Sequence, residues 1–157
     1  MAVRWLILVS LITALLLSVI PIPFEWREWR PEFVALLVVY WATYSPGYFG
    51  VFSAWLCGIL LDVVSLTVLG QHALGLVIIA YIANLAYQRI RSYALWQQSA
   101  WALVLIGVYQ LFTHWTSGLA GKSIDAIDFL GATAFTAVFW PLLVIVLRKI
   151  KIHFRLP

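Results

Sequence analysis

Charge is what this sequence lacks most. Only 10% of its 157 residues are Asp, Glu, Lys or Arg, against about 25% in an average soluble domain, and 64% are hydrophobic. That balance excludes a soluble domain with a solvated surface. Cysteine is almost missing: Cys57 stands alone, so no intramolecular disulfide or redox pair can form, and the thiol reads as a small buried side chain. The three histidines are scattered without zinc spacing, so no metal site is expected. There is no nucleophile–base pair, phosphate loop or paired catalytic carboxylate. The expectation is a chain without enzymatic activity or cofactor. Internal repeats and low-complexity tracts are absent as well.

Long apolar runs fill the space instead. Residues 6–20, 33–61 and 96–121 carry no charge. Runs of about 20 apolar residues are the signature of membrane-spanning helices. Six segments emerge, at residues 5–20, 31–44, 49–66, 70–88, 96–117 and 129–147, so the whole of 1–157 is expected to be one transmembrane domain. Pro21 and Pro23 end the first, because proline cannot continue a helix ladder. That first run follows Arg4 as a signal peptide would, but it closes on "PIPFEW" without a small-x-small cleavage site and is expected to stay as a span. The second segment falls short of a roughly 30 Å core and must be sheltered by its neighbours. "SPGY" at 45–48, Gly70, "RIRSYA" and "GLAGKSIDAID" mark the breaks between segments.

Positive charge orients such a chain. With the N-terminus inside, the inner side gathers Arg4, Arg89, Arg91, Arg148, Lys149, Lys151 and Arg155, leaving Arg27, Arg30 and Lys122 outside. All acids but Asp62 also fall outside: Glu25, Glu28, Glu32, Asp125 and Asp128. Asp125 and Asp128 would favour the N-terminus of the sixth segment through its dipole. Both termini are therefore expected in the cytoplasm. Trp26 and Trp29 would sit at the outer interface, Trp5 and Trp96 at the inner one. The tail at about 148–157, with Arg148, Lys149, Lys151 and Arg155, would face anionic lipid headgroups, and nucleic acid is not an expected partner so close to a span.

The stretch "GILLDVVSLTVLG" places Asp62 inside an apolar run, about 20 Å along its helix. A central aspartate costs about 2.5–3.5 kcal/mol on insertion scales, so it must face protein or a wet pocket. Ala54, Gly58, Asp62 and Ser65 share one helix face, and small residues there let another helix approach. Donors within reach are Asn84, Gln110, His114, Ser65 and the amides of the turn ending at Gly70. Three roles stay open for the carboxylate: a turn cap, a contact to a partner, and a proton or ligand site. Gln110, Thr113, His114 and Ser117 form a polar stripe that either lines a cavity or bonds between helices. Ser10, Ala14 and Ser18 form a small-residue stripe on the first segment, a face for internal packing or for a partner helix.

These residues together resemble the MreD family of rod-shape-determining membrane proteins. The resemblance runs from about Arg30 onward and rests on "RPE" at 30–32, "GILLDVVS" at 58–65 with "LGQHAL" at 69–74, "ALWQQ" at 94–98, and "WP" at 140–141 before the basic tail. It departs at Glu32 and Phe33, where the pattern has aspartate then tryptophan. The resemblance implies a multi-pass scaffold in the bacterial inner membrane, acting in side-wall peptidoglycan growth. Its implied partners are a single-span MreC-like protein, the actin-like MreB, RodZ, and the elongation transpeptidase and glycosyltransferase. The family is also distantly similar in fold to the substrate-binding S components of energy-coupling vitamin transporters. Those are six-helix proteins with both termini inside that dock through small residues on their first helix. The expected architecture is accordingly an all-α bundle of six spans, and a small-molecule-binding or transport subunit is the alternative function.

Overall fold

The computed structural model describes residues 2–20, 32–119 and 126–154. Its architecture is all-α, with six helices among the described residues: α1 (Ala2–Val19), α2 (Phe33–Tyr44), α3 (Val51–Ser65), α4 (Gln71–Ser92), α5 (Leu95–Leu119) and α6 (Ala126–His153). Two of them, over Gln71–Ser92 and Gly131–His153, are long and apolar enough to cross a membrane. Trp26, Trp29, Arg27, Arg30, Lys122, Asp125 and Arg155 lie outside the described residues, as do the side chain of Asp128 and the prolines that follow α1.

α2 is the axis of the bundle. Its 12 residues rise only about 18 Å, and Val34 through Thr43 are all buried. A helix that is apolar on every side is stable only when covered on every side. α2 meets this by packing against each of the other five helices. Tyr40, Trp41, Tyr109 and Trp140 are the largest side chains in the core around it. The outer surface is apolar too, with Trp5, Leu8, Phe52, Leu85, Trp96 and Val138 well exposed. A surface of that composition suits lipid rather than water.

Side-chain bonds fix the helix directions. Trp41 Nε1, near the end of α2, donates to Ser10 Oγ in the first half of α1 at 3.0 Å. Tyr44 Oη donates to Gln98 at the start of α5 at 2.7 Å, and Lys151 near the end of α6 reaches Ser45 Oγ at 3.4 Å. The 45–50 and 93–94 connections and the last turn of α6 therefore share one end, which carries Arg89, Arg91, Arg148, Lys149 and Lys151.

Helix ends differ from the sequence reading, most of all in α4 and α6. α4 runs through Arg89 and Arg91 to Ser92, and α6 starts at Ala126 and runs on to His153, so the basic residues 148–153 are helix rather than tail. Arginine and lysine are good helix formers and favour the negative end of the dipole, so a polar composition marks the edge of the apolar layer without ending the helix. The break before α5 shrinks to Tyr93 and Ala94, where Gln97 Oε1 accepts the Ala94 amide at 3.1 Å and caps the new helix.

α3 is capped by Leu66, a non-glycine residue with positive φ (53°), which is 91% exposed. Leucine in the left-handed region costs roughly 1–2 kcal/mol and gains no protein packing here. Leu66→Gly is expected to raise the unfolding free energy of the purified protein by about 1 kcal/mol. Denaturant unfolding in detergent reads this directly, and an unchanged or lowered midpoint would count against strain at Leu66.

Candidate functional site

The α3–α4 hairpin is built around Asp62. At the end of α3, the Leu66 amide bonds the Val63 carbonyl and the Thr67 amide bonds the Asp62 carbonyl, the Schellman pattern around a left-handed residue. That motif places a side chain at 67 back over residue 62. An apolar contact is usual there; in this chain Thr67 Oγ1 donates to Asp62 Oδ1 at 3.1 Å. Gly70 then takes φ +98°, open to glycine, and starts α4. Glycine has no side chain to cap the free amides of a helix start. Asp62 does it from the preceding helix: Oδ2 accepts the Gly70 amide at 2.8 Å and the Ala73 amide at 3.4 Å, and Oδ1 accepts the His72 amide at 2.8 Å. The carboxylate is completely buried, and all four partners are donors, which suits an acceptor-only group at the positive end of a helix dipole.

Close helix approach makes this reach possible. A Cβ on Gly58 would lie 2.2 Å from Ala73 Cα and 2.7 Å from its amide nitrogen. Gly58, Asp62 and Gly70 thus converge on the first turn of α4. Ser65, the last residue of α3, does not join them; it is exposed, and the chain turns back through Thr67.

The polar groups of α4 and α5 continue from this hairpin as pairs. His72 Nδ1 is hydrogen-bonded to Tyr109 Oη at 2.6 Å. Gln71 Nε2 donates to Ser117 Oγ at 2.7 Å and to the Thr113 carbonyl at 3.2 Å. Gln110 Oε1 accepts from Thr133 Oγ1 of α6. Asn84 is half-buried on α4 and its Oδ1 has no hydrogen-bond partner among the described residues. His114 is half-buried on α5. Neither Asn84 nor Gln110 bonds the Asp62 carboxylate. The sequence pattern gave no role to the side chains of Thr67, Gln71, His72, Tyr109 and Trp41, although Gln71 and His72 stand within "LGQHAL".

Ser10, Ala14 and Ser18 lie on the side of α1 turned to the bundle. Ala14 is 2% exposed, Ser10 accepts from Trp41, and Ser18 Oγ bonds the Ala14 carbonyl at 2.9 Å. The same side borders a groove. Among the described residues the backbones of α1 and α6 do not come close to each other, while each packs on α2. Between them runs an apolar cleft of about 500 Å³. Ser10, Thr13 and Ala14 stand on one wall, Leu142 and Val146 on the other, and Leu36 on the floor. At the basic end, Arg148 and Lys149 are exposed and Lys151 is half-buried. Arg148 and Lys151 line a second, mixed pocket of about 540 Å³ with Arg91, Tyr44 and Gln98.

No solved structure matches the chain. The rod shape-determining protein MreD of Haemophilus influenzae is 26% identical to it over 161 aligned positions, covering 94% of this chain and 92% of that protein. The model of the family described as rod shape-determining protein MreD matches residues 1–150, so this helical membrane protein belongs to the MreD family.

Proposed function

We propose that the protein serves rod-shape determination as a docking platform in the bacterial inner membrane, holding together the complex that extends the side wall. All six helices lie within the bilayer layer, α2 sheltered at the centre, and both termini face the cytoplasm with the cation-rich end. A single apolar helix, the span of an MreC-like partner, lies in the cleft between α1 and α6. MreB, RodZ and the elongation transpeptidase and glycosyltransferase join through that assembly.

The cleft is the observation that carries this reading. It is apolar, open at the side of the bundle, and walled by Ser10 and Ala14, whose small side chains let a second backbone come close. In lipid, helices associate by such packing rather than by a hydrophobic drive. The Asp62 hairpin stiffens the far side of the bundle and leaves α1 and α6 as the separable pair. Nothing supports the small-molecule transport reading: Gln110 is occupied by Thr133, and Gln71 by Ser117.

Co-purification in mild detergent tests the proposal. Val146→Trp fills the cleft from an exposed position and is expected to lower recovery of the MreC-like protein about tenfold, the effect of overpacking a contact by about 1.4 kcal/mol. Leu85→Trp, exposed on α4 and away from the cleft, is expected to leave recovery unchanged. Absence of the partner from the unmutated protein, or equal recovery with Val146→Trp, would refute it. A reporter fused after Pro157 is expected to be active in the cytoplasm.

A further inference from the structure

We infer that the pocket at the basic end binds a phosphate group. It lies where α2, α4, α5 and α6 meet, has a volume of about 540 Å³, and lines itself with three cations and no carboxylate. Arg91 comes from the last turn of α4, and Arg148 and Lys151 come from the end of α6. Three like charges around one cavity repel one another unless an anion enters between them.

The partners of Arg91 and Lys151 hold them without neutralising them. The Tyr44 hydroxyl donates to Gln98 Oε1 at 2.7 Å, and Gln98 Nε2 donates to the Tyr93 carbonyl at 3.0 Å. This fixes the Tyr44 ring, and the Arg91 guanidinium stands 5.9 Å from its centroid, held by a cation–π contact. Lys151 Nζ donates to Ser45 Oγ at 3.4 Å. Arginine offers a planar fork and lysine a point charge, the pair of geometries that phosphate oxygens accept. Apolar Val144 and Ile152 share the lining, giving room beside the charges for the carbon skeleton of a headgroup.

Cations at helix C-termini have a plainer role, complementing the dipole and the lipid surface. The chain contains its own control for it. Arg89 and Lys149 occupy the same two helix ends and are exposed as Arg91 and Arg148 are, but they lie outside the pocket lining. A diffuse charge effect treats all of them alike; a site does not. The phosphate could belong to an anionic lipid headgroup or to a soluble phosphate compound, and the site is independent of what fills the α1–α6 cleft.

The test uses the full-length protein in phosphatidylcholine nanodiscs with spin-labelled phosphatidic acid as probe. The unmutated protein is expected to hold a motionally restricted fraction of the label. Arg91→Gln with Arg148→Gln should weaken that binding about thirtyfold, and Lys151→Gln alone about fivefold. Arg89→Gln with Lys149→Gln removes the same net charge and should leave binding unchanged. Arg91→Lys with Arg148→Lys should retain most of it, which separates loss of the site from loss of the fold. Displacement of the label by inorganic diphosphate identifies a soluble phosphate source, and resistance to it identifies the lipid headgroup; both support the site. No restricted fraction, equal loss in the pocket and control pairs, or displacement by a glutamate peptide but not by diphosphate would each overturn it.

Discussion

Gly58→Ala is expected to cost about 3 kcal/mol of stability, at the upper end of overpacking in a filled core. The added carbon would sit 2.2 Å from Ala73 Cα, and that atom is backbone, so no rotamer change can relieve the clash. α3 and α4 must move apart. Separation then lengthens the three amide bonds to Asp62, because the carboxylate reaches α4 only at this spacing. One methyl group therefore disturbs packing and capping together. Gly75→Ala should cost less: its Cβ would come within 2.8 Å of the Tyr109 ring, a side chain, although a fully buried one bonded to His72. Gly47→Ala meets open space and should be near neutral. Thermal unfolding in one detergent ranks the three, and a Gly58→Ala midpoint equal to that of Gly47→Ala would show that the helices are not held at this distance.

The order of helices could be read from the chain because apolar runs and breakers are composition, and composition is written in the sequence. Helix ends were harder. Arg89, Arg91 and Arg148 signal the edge of the apolar layer, but a helix ends where its backbone bonds end, and α4 and α6 continue through these residues. Asp62 stands out in the sequence as a carboxylate where none is affordable. Its donors do not, because three of the four are main-chain amides that every residue possesses. Spacing placed Ser65 on one face with Asp62, and Ser65 is indeed helical, but its side chain is exposed. Leu66 then takes the left-handed conformation, and Thr67 arrives at the carboxylate. The small residues of α1 have the same ambiguity in reverse. Their spacing marks a face, whereas Trp41 on one side and the cleft on the other are set by where α2 and α6 lie.

Asp62→Leu is expected to cost more than Asp62→Asn by about two- to threefold in free energy, and the count of stranded amides explains the ratio. Leucine removes every acceptor, leaving the amides of Gly70, His72 and Ala73 without partners at a buried helix start. Each unpaired buried donor costs about 1–3 kcal/mol. Asparagine keeps one oxygen. Placed at the Oδ2 position, that oxygen still accepts from Gly70 and Ala73, while the new amide group donates to the Thr67 hydroxyl, which can reverse its role. Only the His72 amide is then stranded. The asparagine variant should thus lose about 1–3 kcal/mol, with much of the hairpin intact. Thr67→Val offers a check within the same network: combined with Asp62→Asn it should cost more than the two single changes add to, because it removes the reversed hydroxyl. Unfolding free energies of the four variants, measured with partner recovery in parallel, decide between a structural and a charge-dependent carboxylate. If Asp62→Asn and Asp62→Leu lose the partner equally while both remain as stable as the unmutated chain, the negative charge itself is recognised and the capping account of Asp62 is wrong.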